Sequence, residues 1–171
     1  TITNPDSEIT TENAAVDIAV LGNDSDVDNA LSIASVTQPA SGTVTHDGTK
    51  VTFDPGASFD YLAAGESATV SFTYTTNTGE TENVTVTING VDDATVTNPD
   101  AGSTDEENSV DIDVLGNDSD VDSSLSIASV TQPSLGSVSN NGTNVTFNPG
   151  TDFDSLNAGE SATVTFTYTT N

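Results

Sequence analysis

The 171-residue sequence contains no cysteine, methionine or tryptophan, no arginine and a single lysine. Without thiols, neither a disulfide framework nor a thiolate zinc cluster can hold the chain together. The scarcity of positive charge, set against 27 Asp and Glu, leaves a formal net charge of −26. A polyanion of this density repels phosphate backbones and anionic lipid surfaces, so nucleic acid is not an expected partner and cations are. No run approaches the roughly 20 apolar residues that span a bilayer, and no charged-then-apolar leader opens the chain. The expectation is of soluble, internal modules without membrane insertion. Hydrophobic residues make up only 33% of the chain and aromatics 5%. Such values beside a high net charge point to disorder unless the apolar residues follow a regular period.

Two periods are present. Shifting the chain by 94 positions aligns Thr1–Asn77 with Thr95–Asn171 without a gap, and about fifty of the 77 pairs are identical. The matches include "NPD", "VLGNDSDVD", "LSIASVTQP", "AGESATV" and "FTYTTN". A repeat of that length is a domain, not a solenoid turn. The sequence therefore reads as two tandem modules, residues 1–91 and 92–171. The second ends before the counterpart of Thr78–Ala94, which includes "TENVTVTING".

Within a module the period is two. "VDIAVL" places Val16, Ile18 and Val20 on one face; "TVSFTYT" does so with Val70, Phe72 and Tyr74, and "NVTVTI" with Val84, Val86 and Ile88. Asp-Gly and Asn-Gly in "HDGT" and "NNGT" predict tight hairpin turns. The fold class expected is all-β: two immunoglobulin-like sandwiches of about seven antiparallel strands each, the second lacking its last strand. "YLAAGESATVSFTY" has the form of a tyrosine-corner segment.

The loop "NDSDVD" occurs once per module, with acidic residues at every second position: Asp24, Asp26, Asp28 and Asp118, Asp120, Asp122. In extended backbone, alternate side chains converge on one side. Three carboxylates about 5 Å apart repel by roughly 0.8 kcal/mol per pair even at water's dielectric, and a divalent ion removes that repulsion. Hard oxygen ligands in a flexible loop suit Ca2+, with Asn23, Asn117 and backbone carbonyls completing the shell. An EF-hand does not fit, because its sixth position is Asn29 or Ser123 instead of Gly, and its twelfth is Ser35 or Ser129 instead of Glu. The simpler reading is a polar turn that solubilises one end of a sandwich. Strand direction favours metal. If strands alternate down and up, Glu12, Asp60, Glu66 and the linker pair Asp92 and Asp93 lie at the end from which the second module starts. There they would meet Asp118, Asp120 and Asp122, and calcium ions would bridge the modules. By the same geometry Asp24, Asp26 and Asp28 face a preceding module.

"VLGNDSDVDNALSIASVTQPASGTV", followed by "FDYLAAGESATVSFTY" and "VTVTINGVDDA", resembles the VCBS-type, bacterial cadherin-like repeats of large RTX-type secreted adhesins. The resemblance implies an extracellular or cell-surface location. It also implies arrays of calcium-bound immunoglobulin-like modules that act as extenders, with neighbouring repeats as partners and "NDSDVD" and "VDDA" as ligand positions. The second module departs from the pattern at Ser155, where the first has Tyr61.

No enzyme is expected. The lone histidine, His46, sits in a hairpin turn and becomes Asn140 in the other module, and Lys50 becomes Asn144. Ser and Thr therefore lack a base, and carboxylate pairs lack an aromatic-lined cleft. Two other readings are kept: a self-associating, filament-forming module that completes its sheet by homotypic strand addition, and a carbohydrate-binding accessory domain, for which Tyr61 is the main candidate.

Overall fold

Alternating apolar residues become seven strands in the first half of the chain. The computed structural model describes all residues, 1–171, and the chain divides into two units, Thr1–Asp93 and Ala94–Asn171. The first unit contains β1 (Asp6–Thr11), β2 (Val16–Ile18), β3 (Ile33–Val36), β4 (Thr43–His46), β5 (Val51–Asp54), β6 (Ser67–Thr76) and β7 (Thr81–Asn89). They form a four-stranded sheet in the order β1-β7-β6-β3 and a three-stranded sheet in the order β2-β5-β4. The β4–β5 hairpin closes at Gly48, with φ of +93°. Asp47 braces it: its carboxylate accepts the Thr49 hydroxyl and the Thr49 and Lys50 N–H groups, which hold its pKa down to about 2. No helix of the chain is long and apolar enough to cross a membrane.

The two sheets enclose Ile18, Val20, Ile33, Val44, Val51, Phe53, Phe72, Tyr74, Val84, Val86 and Ile88. Phe53 of β5 stacks on Phe72 of β6 with ring centroids 6.4 Å apart. This all-β architecture is that of an immunoglobulin-like sandwich, with two departures from expectation. First, β1 pairs with β7 in parallel, from Asp6 opposite Val84 to Thr11 opposite Asn89. When seven strands alternate in direction, the first and seventh run the same way, so their pairing has to be parallel. Second, no tyrosine corner forms at Tyr61, whose side chain is 59% exposed while the neighbouring Leu62 is buried. The buried tyrosine is Tyr74, which donates its hydroxyl to the Val20 carbonyl and to Asp24.

The second unit contains β8 (Val110–Ile112), β9 (Ile127–Val130), β10 (Ser137–Asn140), β11 (Val145–Asn148) and β12 (Tyr168–Thr170). Its sheets have the orders β10-β11-β8 and β12-β9. The buried core is smaller: Val114, Ile127, Val138 and Val145, with Phe147, Phe166 and Tyr168 only half-buried beside them.

Candidate cation-binding sites

After β2 the backbone turns instead of extending. The Gly22 and Asp24 N–H groups donate to the Ala19 and Leu21 carbonyls, and Ile2 and Ser25 exchange two backbone hydrogen bonds. This loop orients its three carboxylates separately. Asp24 accepts the Asn4 N–H at 2.9 Å through Oδ1 and the Tyr74 hydroxyl at 2.6 Å through Oδ2. Asp26 folds back: its Oδ1 accepts the N–H groups of Asp28 and Asn29, and its Oδ2 accepts the Thr1 hydroxyl. These donors, the Thr1 hydroxyl foremost, hold its carboxyl well below the ordinary range. Asp28 is exposed.

The second unit repeats the arrangement. Asp118 accepts the Asn98 N–H at 2.8 Å and the Tyr168 hydroxyl at 2.6 Å. Asp120 accepts the Thr95 hydroxyl and the Ser123 N–H, with the Thr95 bond the largest cause of its lowered pKa. Neither loop therefore gathers its alternate aspartates on one side, and no three acidic side chains are spaced to hold a metal ion. The expectation of convergence assumed extended backbone. An Asx turn at Asp26 and Asp120 breaks the two-residue alternation by tying each carboxylate to its own loop.

Two carboxylates absent from the sequence reading complete these loops. Asp6, at the start of β1, faces Asp24, and Asn23 donates its amide nitrogen to Asp6 Oδ1 at 3.1 Å and to the Pro5 carbonyl at 3.3 Å. Burial, with the Asp24 charge next, raises the Asp6 pKa from the ordinary 3.8 to about 6, partly offset by the Asn23 hydrogen bond. Its Oδ2 is buried without a hydrogen-bond partner, as is Oδ2 of its counterpart Asp100. Asn117 donates to the Pro99 carbonyl at 3.2 Å, as Asn23 does to Pro5. Burial and the neighbouring carboxylates push the Tyr74 and Tyr168 hydroxyls up, so both remain protonated donors. The "NPD" triplet shared by the modules is the signal that could have disclosed Asp6 and Asp100. Thirteen residues separate it from "VLGNDSDVD" in each module, which conceals the pairing.

The other end of the first unit holds a different carboxylate. Glu12 directly follows β1 and is only 1% exposed. Its Oε1 accepts the Val91 N–H at 2.7 Å, and its Oε2 is buried without a partner. The Glu66 loop closes on the same backbone, with the Gly90 N–H donating to the Glu66 carbonyl at 2.9 Å. A Cβ at Gly90 would lie 2.3 Å from the Ala63 oxygen, so only glycine permits this approach. Glu66 uses Oε2 to cap the Ala63 N–H at 3.2 Å. Glu12 and Glu66 thus meet residues 89–91 immediately before Asp92, which is exposed, and Asp93, which is half-buried; Asp60 is half-buried two residues before Leu62. In the second unit the counterpart of Glu12 is Glu106, which is not enclosed in this way.

All these donors are hard oxygens, suited to calcium and unsuited to softer metals. His46 is exposed in its hairpin, and Lys50 pairs with Asp17.

A protein-family model described as "Bacterial Ig domain" matches residues 1–89 and again residues 92–171. None of the curated proteins matches the sequence. Among solved structures, the chain is similar to a 2,6-sialyltransferase of Vibrionaceae Photobacterium sp. JT-ISH-224 in complex with CMP and lactose, at 17% identity and a TM-score of 0.28. That match covers 53% of this chain and 18% of the sialyltransferase.

Proposed function

The chain belongs to the bacterial Ig domain family, and from that premise we propose that its modules are calcium-rigidified extenders of a secreted or cell-surface bacterial adhesin of the VCBS, cadherin-like type. A bacterial Ig-like domain fits a structural surface module in general. The observation that carries the calcium reading is Glu12: a carboxylate 1% exposed, with one oxygen satisfied by the linker backbone at Val91 and the other unpartnered. Burying such a charge without compensation costs several kcal/mol. A bound calcium ion supplies the missing positive charge. Glu12 and Glu66 already hold residues 89–91 in place, and Asp60, Asp92 and Asp93 lie in the flanking loop and linker, from which they would have to close on Glu12 to complete a shell. At the opposite end of each module Asp24, Asp26, Asp28, Asp118, Asp120 and Asp122, with Asn23 and Asn117, point apart and are partly tied up in hydrogen bonds, so an ion there would have to draw them together.

Ion binding at the linker stiffens it against hinging and offsets repulsion in a chain of net charge −26. A site with a dissociation constant near 10⁻⁴ M adds about 2.7 kcal/mol at a hundredfold excess of ion, which is large against a domain stability of roughly 5–15 kcal/mol. The test is calorimetry and small-angle scattering of wild type and Glu12→Gln, in chelator and in calcium. Wild type should gain melting temperature and maximum dimension on calcium addition. Glu12→Gln should melt no lower than wild type in chelator and lose most of the calcium-dependent gain. A wild type indifferent to calcium in both measurements would overturn the reading.

A further inference from the structure

Hydrogen bonds at the two ends of β6 fix which way its backbone faces. The Glu66 carbonyl accepts the Gly90 N–H and the Thr76 N–H donates to the Glu80 carbonyl, so even-numbered residues bond toward β7. Odd-numbered residues turn their backbone groups to the other edge. Thr73 does so: its carbonyl accepts the Thr37 N–H at 2.9 Å and its N–H donates to the Thr37 hydroxyl at 2.8 Å. From Ser71 back to Ser67 that edge is open, because β3 pairs only with residues 74–76 and the chain after Thr37 leaves for the other sheet. Gln38 commits it there, its Nε2 donating to the Val44 carbonyl of β4 at 2.6 Å and its Oε1 accepting the Val44 N–H at 2.9 Å. Pro39, next in line, has no N–H to offer β6. Between residues 39–41 and the β6 edge at 68–71 lies an open groove of about 350 Å³, with Phe59 and Tyr61 on its wall.

We propose that this groove binds a neutral saccharide, with one pyranose ring lying against Tyr61. Tyr61 is the one aromatic side chain of the chain left open to solvent. Its ring offers an apolar face to the C–H face of a sugar while its hydroxyl stays hydrated. The groove also supplies groups that both donate and accept hydrogen bonds: the open-edge backbone of Thr69 and Ser71, and the hydroxyls of Ser41, Thr69 and Ser71. Sugar hydroxyls likewise do both. No charged residue lines the groove, in a chain with 27 Asp and Glu. A neutral ligand therefore meets no unpaired charge, whereas the net charge of −26 repels acidic sugars. The volume is at the small end of ligand sites and suits roughly one or two sugar units. In the second unit Ser155 stands where the first has Tyr61, so one site per chain is expected. The inference does not depend on cation binding.

The test is heteronuclear NMR of the 171-residue chain titrated with cellotriose, maltotriose, chitotriose and trigalacturonic acid, in excess calcium so that metal occupancy is constant. Expected are saturable shifts with at least one neutral trisaccharide, confined to residues 39–41, 59–61 and 67–71, and none with the acidic one. Tyr61→Ala should weaken binding at least about tenfold, and Tyr61→Phe, which keeps the ring face, should retain it. Because Tyr61 is exposed, both variants should melt as wild type does. An extended Thr-Val-Thr-Val-Thr peptide is titrated in parallel, since a peptide strand could use the same open edge. Peptide binding with slowed exchange at Thr69 and Ser71, while the sugars stay silent, would assign the edge to strand addition and overturn the proposal. Silence of every neutral trisaccharide, shifts elsewhere in the chain, or binding unchanged in Tyr61→Ala would each overturn it as well.

Discussion

Asp6 and Glu12 bracket β1, and each carries a carboxylate oxygen enclosed by protein with no donor aimed at it. Their chemistry differs because their surroundings differ. Asp6 is buried beside the charge of Asp24, so its own protonation relieves both the burial and the repulsion, and its pKa is raised to about 6. A carboxyl that binds its proton more tightly folded than unfolded stabilises the fold fully below about pH 3.8 and loses that contribution as pH rises through about 6. In chelator, Asp6→Asn should therefore match wild type near pH 3.5 and melt increasingly higher than wild type as pH rises to 7. Thermal melts at four or five pH values check this, and a difference that stays constant with pH would refute the assignment. Tyr74→Phe removes the hydroxyl shared by the Val20 carbonyl and Asp24; chemical denaturation should show a loss of about 1–3 kcal/mol, since one acceptor is charged.

Strands in this chain exist where a neighbour ladders them, and β7 is the neighbour of most consequence. Within the first unit it joins β1 to β6 and buries three β-branched side chains in the core. Ile88→Ala should cost about 2–5 kcal/mol through the cavity it leaves. The turn leading into β4 imposes a different constraint. Gly42 has φ of +77°, and a Cβ there would stand 2.6 Å from the Phe53 ring, whereas Gly48 has φ of +93° with open space around it. Gly42→Ala meets both left-handed strain and a core clash; Gly48→Ala meets strain alone, about 1–2 kcal/mol. Urea denaturation should rank Gly42→Ala clearly below Gly48→Ala. The same pair of constraints recurs at Gly136 against Phe147.

The two halves share most of their residues yet differ in cohesion. The first has an enclosed core running through both sheets, while the second centres on Val114, Ile127, Val138 and Val145 with Phe147, Phe166 and Tyr168 half open. Buried apolar area scales stability, so calorimetry of the whole chain should resolve two transitions, the lower belonging to residues 94–171. Tyr168→Phe should shift only the lower transition and Tyr74→Phe only the upper. With a net charge of −26, both should rise with monovalent salt, which screens repulsion among exposed carboxylates.

Much of this molecule is written locally. A two-residue apolar period, Asp-Gly and Asn-Gly turns and a 94-residue repeat are short-range or self-comparing signals, so the all-β class, the tandem modules and the hairpin at Gly48 could be read without coordinates. Direction along the chain also placed Glu12 and Glu66 at the linker end, because alternation of strands needs only a count. The orientation of each aspartate in "NDSDVD" could not be read that way. Asp24 turns to a tyrosine fifty residues later, Asp26 turns to its own loop, and Asp6 enters from a strand the loop never adjoins in sequence. The unpartnered oxygen of Glu12 is equally a product of packing, because whether a carboxylate is hydrated or enclosed depends on every element that closes over it. Local backbone preference decides which elements form; only their assembly decides which polar atoms are left without water.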